Sequence, residues 1–333
     1  MNPRRRPSRA LAAIFAVAIL SGAGADDEPR SERGQYNVVR GWPHSGKPLG
    51  AVSGVGVDSH GHVLVFHRND RQWPDSDQLA ADPIRAPTVA ILDPRSGDIL
   101  AEWGDNLFAM PQGLTVDAED NVWLTDVALN QVYKFSHDGR LLLTLGERGV
   151  PGADSDHFNR PTAVAVAPDG AVFVTDGYRN TRVMKFSAKG RFLFQWGTPG
   201  AGPGQFDVPH GIAVDRAGRL YVADRGNQRV QIFEENGGYI GEWSSARIGR
   251  PYGVAVAPNG NVVVADGGDQ SQRFPQRSGV AILKSDGSFV ERFGRWGHRD
   301  GELAMAHDVA VGRDGAIYVG EIEGARVQKF VRR

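Results

Sequence analysis

The sequence predicts an all-β fold: a six-bladed β-propeller whose ring is closed by an N-terminal strand in the last blade. Two observations predict it. A pattern of two short apolar strands around an Asp/Gly turn recurs at intervals of about 40–50 residues, as in propeller repeats. Beyond the first 34 residues, no linker or change of composition divides the chain.

The six copies can be read directly from the sequence. PTAVAVAPDGAVFVTDG and PYGVAVAPNGNVVVADG show the shared strand, turn and Asp. Each copy supplies four strands, but the last one stops at Phe330 without its fourth. We expect residues 36–42 to supply that strand, which leaves no open sheet edge. The copies begin at Ala51, Met110, Arg160, Val208, Arg250 and Met305.

The first 25 residues have the pattern of a secretory signal peptide. An Arg run at residues 4–6 precedes an apolar run at residues 10–20 and an Ala-Gly-Ala cleavage signal. The apolar run is short for a membrane span, and an uncleaved anchor is the alternative. We therefore expect a signal peptide over 1–25, a mobile leader over 26–34 and the propeller over 35–333. The expected location is periplasmic or secreted, with no integral membrane domain after cleavage.

Composition excludes several classes of protein. A net charge of −1 does not provide the basic surface that nucleic-acid binding requires. The absence of cysteine excludes disulfides and lipid attachment through cysteine. Since no oligomerisation signal is present, we expect a monomer.

Recurrent charged residues belong to the repeat itself. An Asp ends the second strand of most copies, and an Arg-Val pair follows it. We interpret the Asp residues as turn caps and the Arg residues as their partners. They are Asp126, Asp176, Asp224 and Asp266, with Arg182, Arg229 and Arg326.

Aligning the copies places one position of the first strand in a ring around the axis, because alternating side chains of that strand face the channel. Every second blade there carries Gln112, His210 or His307, which predicts a Zn²⁺ site with an open fourth position. Asp308 adjoins this set and can orient ligands or hold a harder cation. The full ring is Ser53, Gln112, Thr162, His210, Tyr252 and His307.

A second ring follows the second strands and carries Arg68 on blade one and Arg225 on blade four, across the axis from each other. Two converging guanidinium groups suit a carboxylate ligand, and nearby Tyr178, one residue beyond this ring, can serve as a general base. The long insertion at residues 69–87 can roof such a site. The alternatives are surface ion pairs for each Arg and packing roles for each His.

The chain resembles the peptidyl-α-hydroxyglycine α-amidating lyases, which are six-bladed NHL-type propellers. The resemblance covers roughly residues 48–330. The strings that carry it are VFHRND, TDVALNQV, DGYRNTR, GQFDVPHGIAV and MAHDVAVGRDGAIYVGE. It implies metal-assisted cleavage of the C–N bond in peptidyl- or N-acyl-α-hydroxyglycine, which yields an amide and glyoxylate.

The resemblance also implies roles for individual residues. Tyr178 would be the catalytic base, and Arg68 and Arg225 would act on the substrate. Zinc would bind His210, His307 and the position of Gln112. A structural calcium would bind the carbonyl groups of Val55 and Leu114 and the side chain of Asp308, and Met305 would lie near the metal.

Two departures from the family pattern matter: one keeps other functions open, and the other bears on stability. Gln112 replaces a zinc-binding His, and an amide oxygen is a weaker ligand for Zn²⁺ than imidazole. Arg179 stands where animal members have a Cys, so that family disulfide is absent. The first alternative function is a non-catalytic binding module. The second is a calcium-dependent lactonase-type hydrolase.

Overall fold

The computed structural model describes residues 35–74, 76–268 and 277–333, and the expected signal peptide and leader lie outside them. Strands are the regular secondary structure assigned throughout these ranges. Within the same ranges, no helix is both long enough and apolar enough to cross a membrane.

Within the described ranges the strands form six four-stranded sheets, which confirms the predicted propeller. A short pair of parallel strands lies in the connection between blades three and four. The strands are, for the closing segment, β1 (Tyr36–Val38); for blade one, β2 (Val52–Val57), β3 (Val63–His67), β4 (Val89–Leu92) and β5 (Ile99–Trp103); for blade two, β6 (Pro111–Val116), β7 (Val122–Asp126), β8 (Gln131–Phe135) and β9 (Leu141–Leu145); for blade three, β10 (Pro161–Val166), β11 (Val172–Asp176), β12 (Arg182–Phe186) and β13 (Phe192–Trp196); for the pair, β14 (Thr198–Pro199) and β15 (Gln205–Phe206); for blade four, β16 (Pro209–Val214), β17 (Leu220–Asp224), β18 (Arg229–Phe233) and β19 (Tyr239–Ser244); for blade five, β20 (Pro251–Val256), β21 (Val262–Asp266), β22 (Gly279–Leu283) and β23 (Phe289–Phe293); and for blade six, β24 (Ala306–Val311), β25 (Ile317–Glu321) and β26 (Arg326–Arg332).

The ring closes through its two ends, as the sequence predicts. β1 pairs antiparallel with β26, from Tyr36 opposite Arg332 to Val38 opposite Phe330, and completes blade six. The closing strand is shorter than the expected segment 36–42. The chain turns after Val38, and Gly41 has a φ of +74°, a left-handed conformation that does not continue a strand.

The apolar core lies between neighbouring blades. Each of six buried clusters combines strands of two adjacent blades, and none lies on the axis. In the cluster between blades four and five, for example, Tyr221 and Ala223 pack with Val262 and Val264. The first strand of each blade contacts those of both neighbouring blades. The axis is therefore free for polar side chains.

A buried carboxylate at the end of the second strand fixes the loops of each blade from two to six. In blade two, Asp126 is fully buried and accepts the N–H groups of Ala109, Met110, Ala128 and Leu129. In blades three to six the capping carboxylate also forms an ion pair with an arginine. The pairs are Asp176–Arg182, Asp224–Arg229, Asp266–Arg277 and Glu321–Arg326.

We expect Asp126→Ala to lower the free energy of unfolding by at least about 3 kcal/mol, because it leaves four backbone N–H groups without their acceptor. Urea unfolding followed by circular dichroism measures the change. The control is Asp138→Ala, which removes an exposed turn carboxylate. Equal stability of the two variants would contradict the capping role.

Candidate active site

The second residue of each first strand points into one axial cavity of ≈ 260 Å³. All six of these residues line the cavity and are buried, so the ring aligned from the sequence exists in three dimensions. Ser53, Thr162 and Tyr252 occupy the odd-numbered blades. Gln112, His210 and His307 occupy the even-numbered blades.

The two histidines present unprotonated nitrogens to each other across the axis. His210 Nδ1 donates to the carbonyl of Tyr252 at 2.9 Å, and His307 Nδ1 donates to the carbonyl of Ser53 at 2.8 Å. Because a carbonyl only accepts, each ring carries its proton on Nδ1 and keeps a free lone pair on Nε2. The ring centroids are 4.9 Å apart.

Both imidazoles are neutral at pH 7. Burial, followed by the charge effects of His307 and Arg225, holds the pKa of His210 well below its usual range. Burial and then the cation of Arg68 lower the pKa of His307 to about 3. A neutral imidazole with a free Nε2 can accept a hydrogen bond or bind a metal.

Gln112 holds the third position and turns its amide nitrogen toward both imidazoles. Arg68 Nη2 donates to Gln112 Oε1 at 2.8 Å, and a guanidinium has no acceptor, so this contact fixes the orientation of the amide. Gln112 Nε2 then lies 3.0 Å from His210 Nε2 and 3.3 Å from His307 Nε2. The side chain offers N–H groups where a third imidazole would offer a lone pair.

Two arginines bring positive charge to the site without an acidic partner among the described side chains. Arg68 is buried and donates to the carbonyl of Pro111 at 2.9 Å as well as to Gln112. Burial lowers the pKa of Arg68 to about 10, which leaves it charged at neutral pH. The half-buried Arg225 lies over the rings of Tyr178 and Tyr252, at 5.3 and 4.8 Å.

Tyr178 reaches the same centre from blade three. Its hydroxyl lies 3.1 Å from His210 Nε2 and 3.2 Å from Gln112 Nε2. The aligned register is shifted by one residue here: the Tyr178 N–H, rather than that of Gly177, donates to the carbonyl of Arg160, in the loop before the first strand of the blade. A Cβ on Gly177 would lie 1.8 Å from the carbonyl oxygen of Pro209, so glycine permits this path.

Trp73 is a site residue that sequence reasoning missed. It lies in the insertion at residues 69–87, is 38% exposed, and its ring centroid is 5.3 Å from that of Tyr178. The Arg68 guanidinium lies 5.3 Å from the centre of the Trp73 ring. Asp77 ties the insertion to Arg160 at 3.0 Å. The sequence did contain a signal for it, because a large aromatic residue in an insertion that can cover a site is a candidate to contact a ligand.

Asp308 lines the same cavity, together with Val55 and Leu114. Its carboxylate accepts the N–H groups of Val55 and Val309, at 3.0 and 2.9 Å. Burial raises the pKa of Asp308 to about 7. No described cationic side chain pairs with it, which fits a carboxylate that compensates a bound cation. Met305 is buried just before β24; its nearness to a metal stays a prediction.

Comparisons with known proteins agree with this architecture. The NHL repeat family matches residues 158–186 and 206–233. Two solved propellers share the fold: "Streptogramin B lyase structure", with a TM-score of 0.56 and 15% identity over 86% of this chain and 94% of that one, and a Xanthomonas campestris gluconolactonase, with 0.58 and 16% over 86% and 88%. At these identities the likeness shows the fold alone.

Sequence relatives are more specific. Peptidyl-alpha-hydroxyglycine alpha-amidating lyase 1 of Drosophila melanogaster is 37% identical over 90% of this chain and 60% of its own length. Peptidylglycine alpha-amidating monooxygenase of Rattus norvegicus is 38% identical over 87% of this chain and 31% of its own length. The chain thus spans less than two thirds of these two relatives.

A third relative is covered along most of its length. The Caenorhabditis elegans protein named "Probable peptidyl-alpha-hydroxyglycine alpha-amidating lyase pgal-1" is 35% identical over 66% of this chain and 68% of its own. This coverage confirms the resemblance drawn from the sequence strings: the chain belongs to the peptidyl-α-hydroxyglycine α-amidating lyase family of NHL-repeat β-propellers.

Proposed function

We propose that the protein is a lyase that cleaves the C–N bond of a peptidyl- or N-acyl-α-hydroxyglycine and releases an amide and glyoxylate. One observation carries the proposal. Two guanidinium groups without an ion-pair partner among the described residues, a tyrosine hydroxyl and two unprotonated imidazole nitrogens meet at one axial cavity. A small anionic substrate matches such a site.

The two arginines would hold the carboxylate of the substrate. Arg68 is fixed by the Pro111 carbonyl and Gln112, and Arg225 by the rings of Tyr178 and Tyr252. Both charges are therefore held in position before the substrate binds, which lowers the cost of ordering them. Anchoring the carboxylate would leave the neighbouring hydroxyl within the reach of Tyr178.

The site fits a divalent metal at two of three positions. His210 and His307 would hold it through Nε2; Gln112 could join only by turning its oxygen inward, which breaks the bond to Arg68. A bound Zn²⁺ would supply Lewis-acid polarisation of the substrate oxygen. Val55, Leu114 and Asp308 would hold a structural Ca²⁺ through oxygen atoms.

Tyr178 would move the proton. In its phenolate form, Tyr178 would take the proton of the substrate hydroxyl, and the electrons of that O–H bond would form the carbonyl of glyoxylate as the C–N bond breaks. A proton returned from Tyr178 to the departing nitrogen completes the amide, so atoms and charge balance. The guanidinium of Arg225 over the ring would stabilise negative charge on the phenol oxygen.

Trp73 would contact the other end of the substrate. Its exposed ring borders Tyr178 and Arg68 on the side open to solvent. The acyl or peptidyl part, which must leave the cavity, would cross this surface. We further propose that the chain is exported and acts as a monomer, without a nucleic-acid partner.

A second candidate function is that of a non-catalytic binding module. The orientation of Gln112 favours it, because N–H groups stand in the place of a metal ligand. Glyoxylate release from α-hydroxyhippurate, with and without added zinc, separates the two. Zinc-dependent release supports the lyase. No release by the wild type, with release by Gln112→His, supports the binding module.

Tyr178→Phe should lower turnover of α-hydroxyhippurate by about 10²- to 10⁴-fold, because the variant keeps the ring but cannot exchange the proton. The thermal midpoint should stay unchanged, since the hydroxyl contacts only site residues. Turnover is measured as glyoxylate release. Full activity in the Phe variant would rule out the proton-transfer role.

Gln112→His should raise the zinc affinity of the axial site by at least about 100-fold, since it adds an imidazole lone pair to the two already present. Competition with a zinc-sensitive dye measures the affinity. Gln112→Ala is the control, because it removes the amide without adding a ligand. Unchanged affinity in the His variant would show that the three positions do not converge on one ion.

Trp73→Ala should raise the KM for α-hydroxyhippurate by about 3- to 10-fold, because the aromatic acyl group loses its stacking partner. The KM for N-acetyl-α-hydroxyglycine, which carries a small aliphatic acyl group, should change less. Steady-state kinetics with both substrates provides the comparison. An equal effect on the two would argue against contact between Trp73 and the acyl group.

A further inference from the structure

A cluster of histidines surrounds one buried carboxylate at the turn between β2 and β3. The axial site lies at the start of β2, at Ser53, whereas Asp58 follows the end of that strand. Five residues of extended chain span roughly 16 Å, so the cluster is distinct from the axial site. The cluster consists of Asp58, His60, His62 and His137, and so contains three of the nine histidines in the chain.

The carboxylate of Asp58 is fully buried and holds the cluster together. Its Oδ1 accepts the N–H groups of His60 and His62 at 2.9 and 2.8 Å. Its Oδ2 lies 2.8 Å from His62 Nδ1 and 2.9 Å from His137 Nε2. The carboxylate is thus fixed by the backbone of blade one and contacts imidazoles from two blades.

The carboxylate and two of the imidazoles are close enough to share an ion, and His137 adjoins them through its contact with Asp58 Oδ2. A carboxylate oxygen of Asp58 and one nitrogen each of His60 and His62 all lie within 4.8 Å of one another. The His62 ring stacks on that of His60 at 5.9 Å and lies 6.4 Å from that of His137. The His60 side chain is 73% exposed, and its Nδ1 lies 3.7 Å from Asp120 Oδ2, so a second carboxylate borders the cluster.

Equivalent turns of other blades neutralise their Asp differently. In blade two, Lys134 Nζ lies 3.1 Å from Asp117, and in blade four, Arg219 lies 2.7 Å from Asp215. Blade one alone of these three uses imidazoles. Lys and Arg cannot bind a metal in their charged forms, whereas imidazole is a common ligand of zinc-type ions.

We propose that Asp58, His60, His62 and His137 form a second metal site, for a divalent transition metal of the zinc type. Binding would displace the protons that His62 and His137 share with the carboxylate of Asp58. Since His137 belongs to the β8–β9 turn, the ion would link blade two to blade one. A ligand set with three imidazoles favours zinc, nickel or copper over calcium.

The test uses the full chain carrying His210→Ala and His307→Ala, which removes the axial imidazoles. Calorimetric titration with Zn²⁺ should show one ion per chain, and Co²⁺ should give the visible absorption of a tetrahedral site. Zinc should also raise the thermal midpoint, because an ion that binds only the folded state stabilises it.

In the same background, His62→Gln and His137→Gln should each weaken zinc binding at least about 10-fold and abolish the zinc-dependent rise of the midpoint. His60→Gln, at an exposed position, serves if either variant folds poorly. His157→Gln is the matched control: His157 also pairs with a carboxylate, Asp154 at 2.8 Å, but outside the cluster.

Three results would overturn the proposal. They are no zinc binding in the starting background, equal binding in the cluster variants and the starting background, and equal loss in the His157→Gln control. In the first case the histidines serve only as ion-pair partners of Asp58. Because the axial imidazoles are absent throughout, none of these outcomes depends on the lyase activity.

Discussion

The structure depends on the burial of apolar surface between neighbouring blades. Every apolar cluster joins two adjacent sheets, so each blade is stabilised by the one before and the one after. A ring built this way has no central core to fill. The first strands can present polar residues to the axis, and six blades can each contribute one side chain to a common centre.

Positive charge defines the chemistry of that centre. Arg68 and Arg225 approach two imidazoles that must stay neutral, and the arginines help to keep them so by lowering their pKa values. The acid that lines the same cavity, Asp308, accepts backbone N–H groups instead of pairing with either guanidinium. The arginines therefore remain available to an anionic ligand. The imidazoles remain available to a hydrogen-bond donor or a metal.

The sequence predicts what the repeat determines and misses what depends on contacts between copies. The blade number, the closing strand and the ring of Gln112, His210 and His307 follow from the register, because equivalent positions share one place in the blade. The amide orientation of Gln112 follows from Arg68 of another blade. The contact of Trp73 with Tyr178 depends on the path of an insertion, which no repeat specifies.

The pairing of β1 with β26 has a consequence for how the site is made. His307 lies in blade six, and that blade is complete only when residues near both ends of the chain have met. Such distant pairing makes folding slow and places it late. A growing chain can form its early blades, but it cannot assemble the axial site until its last strand has been synthesised.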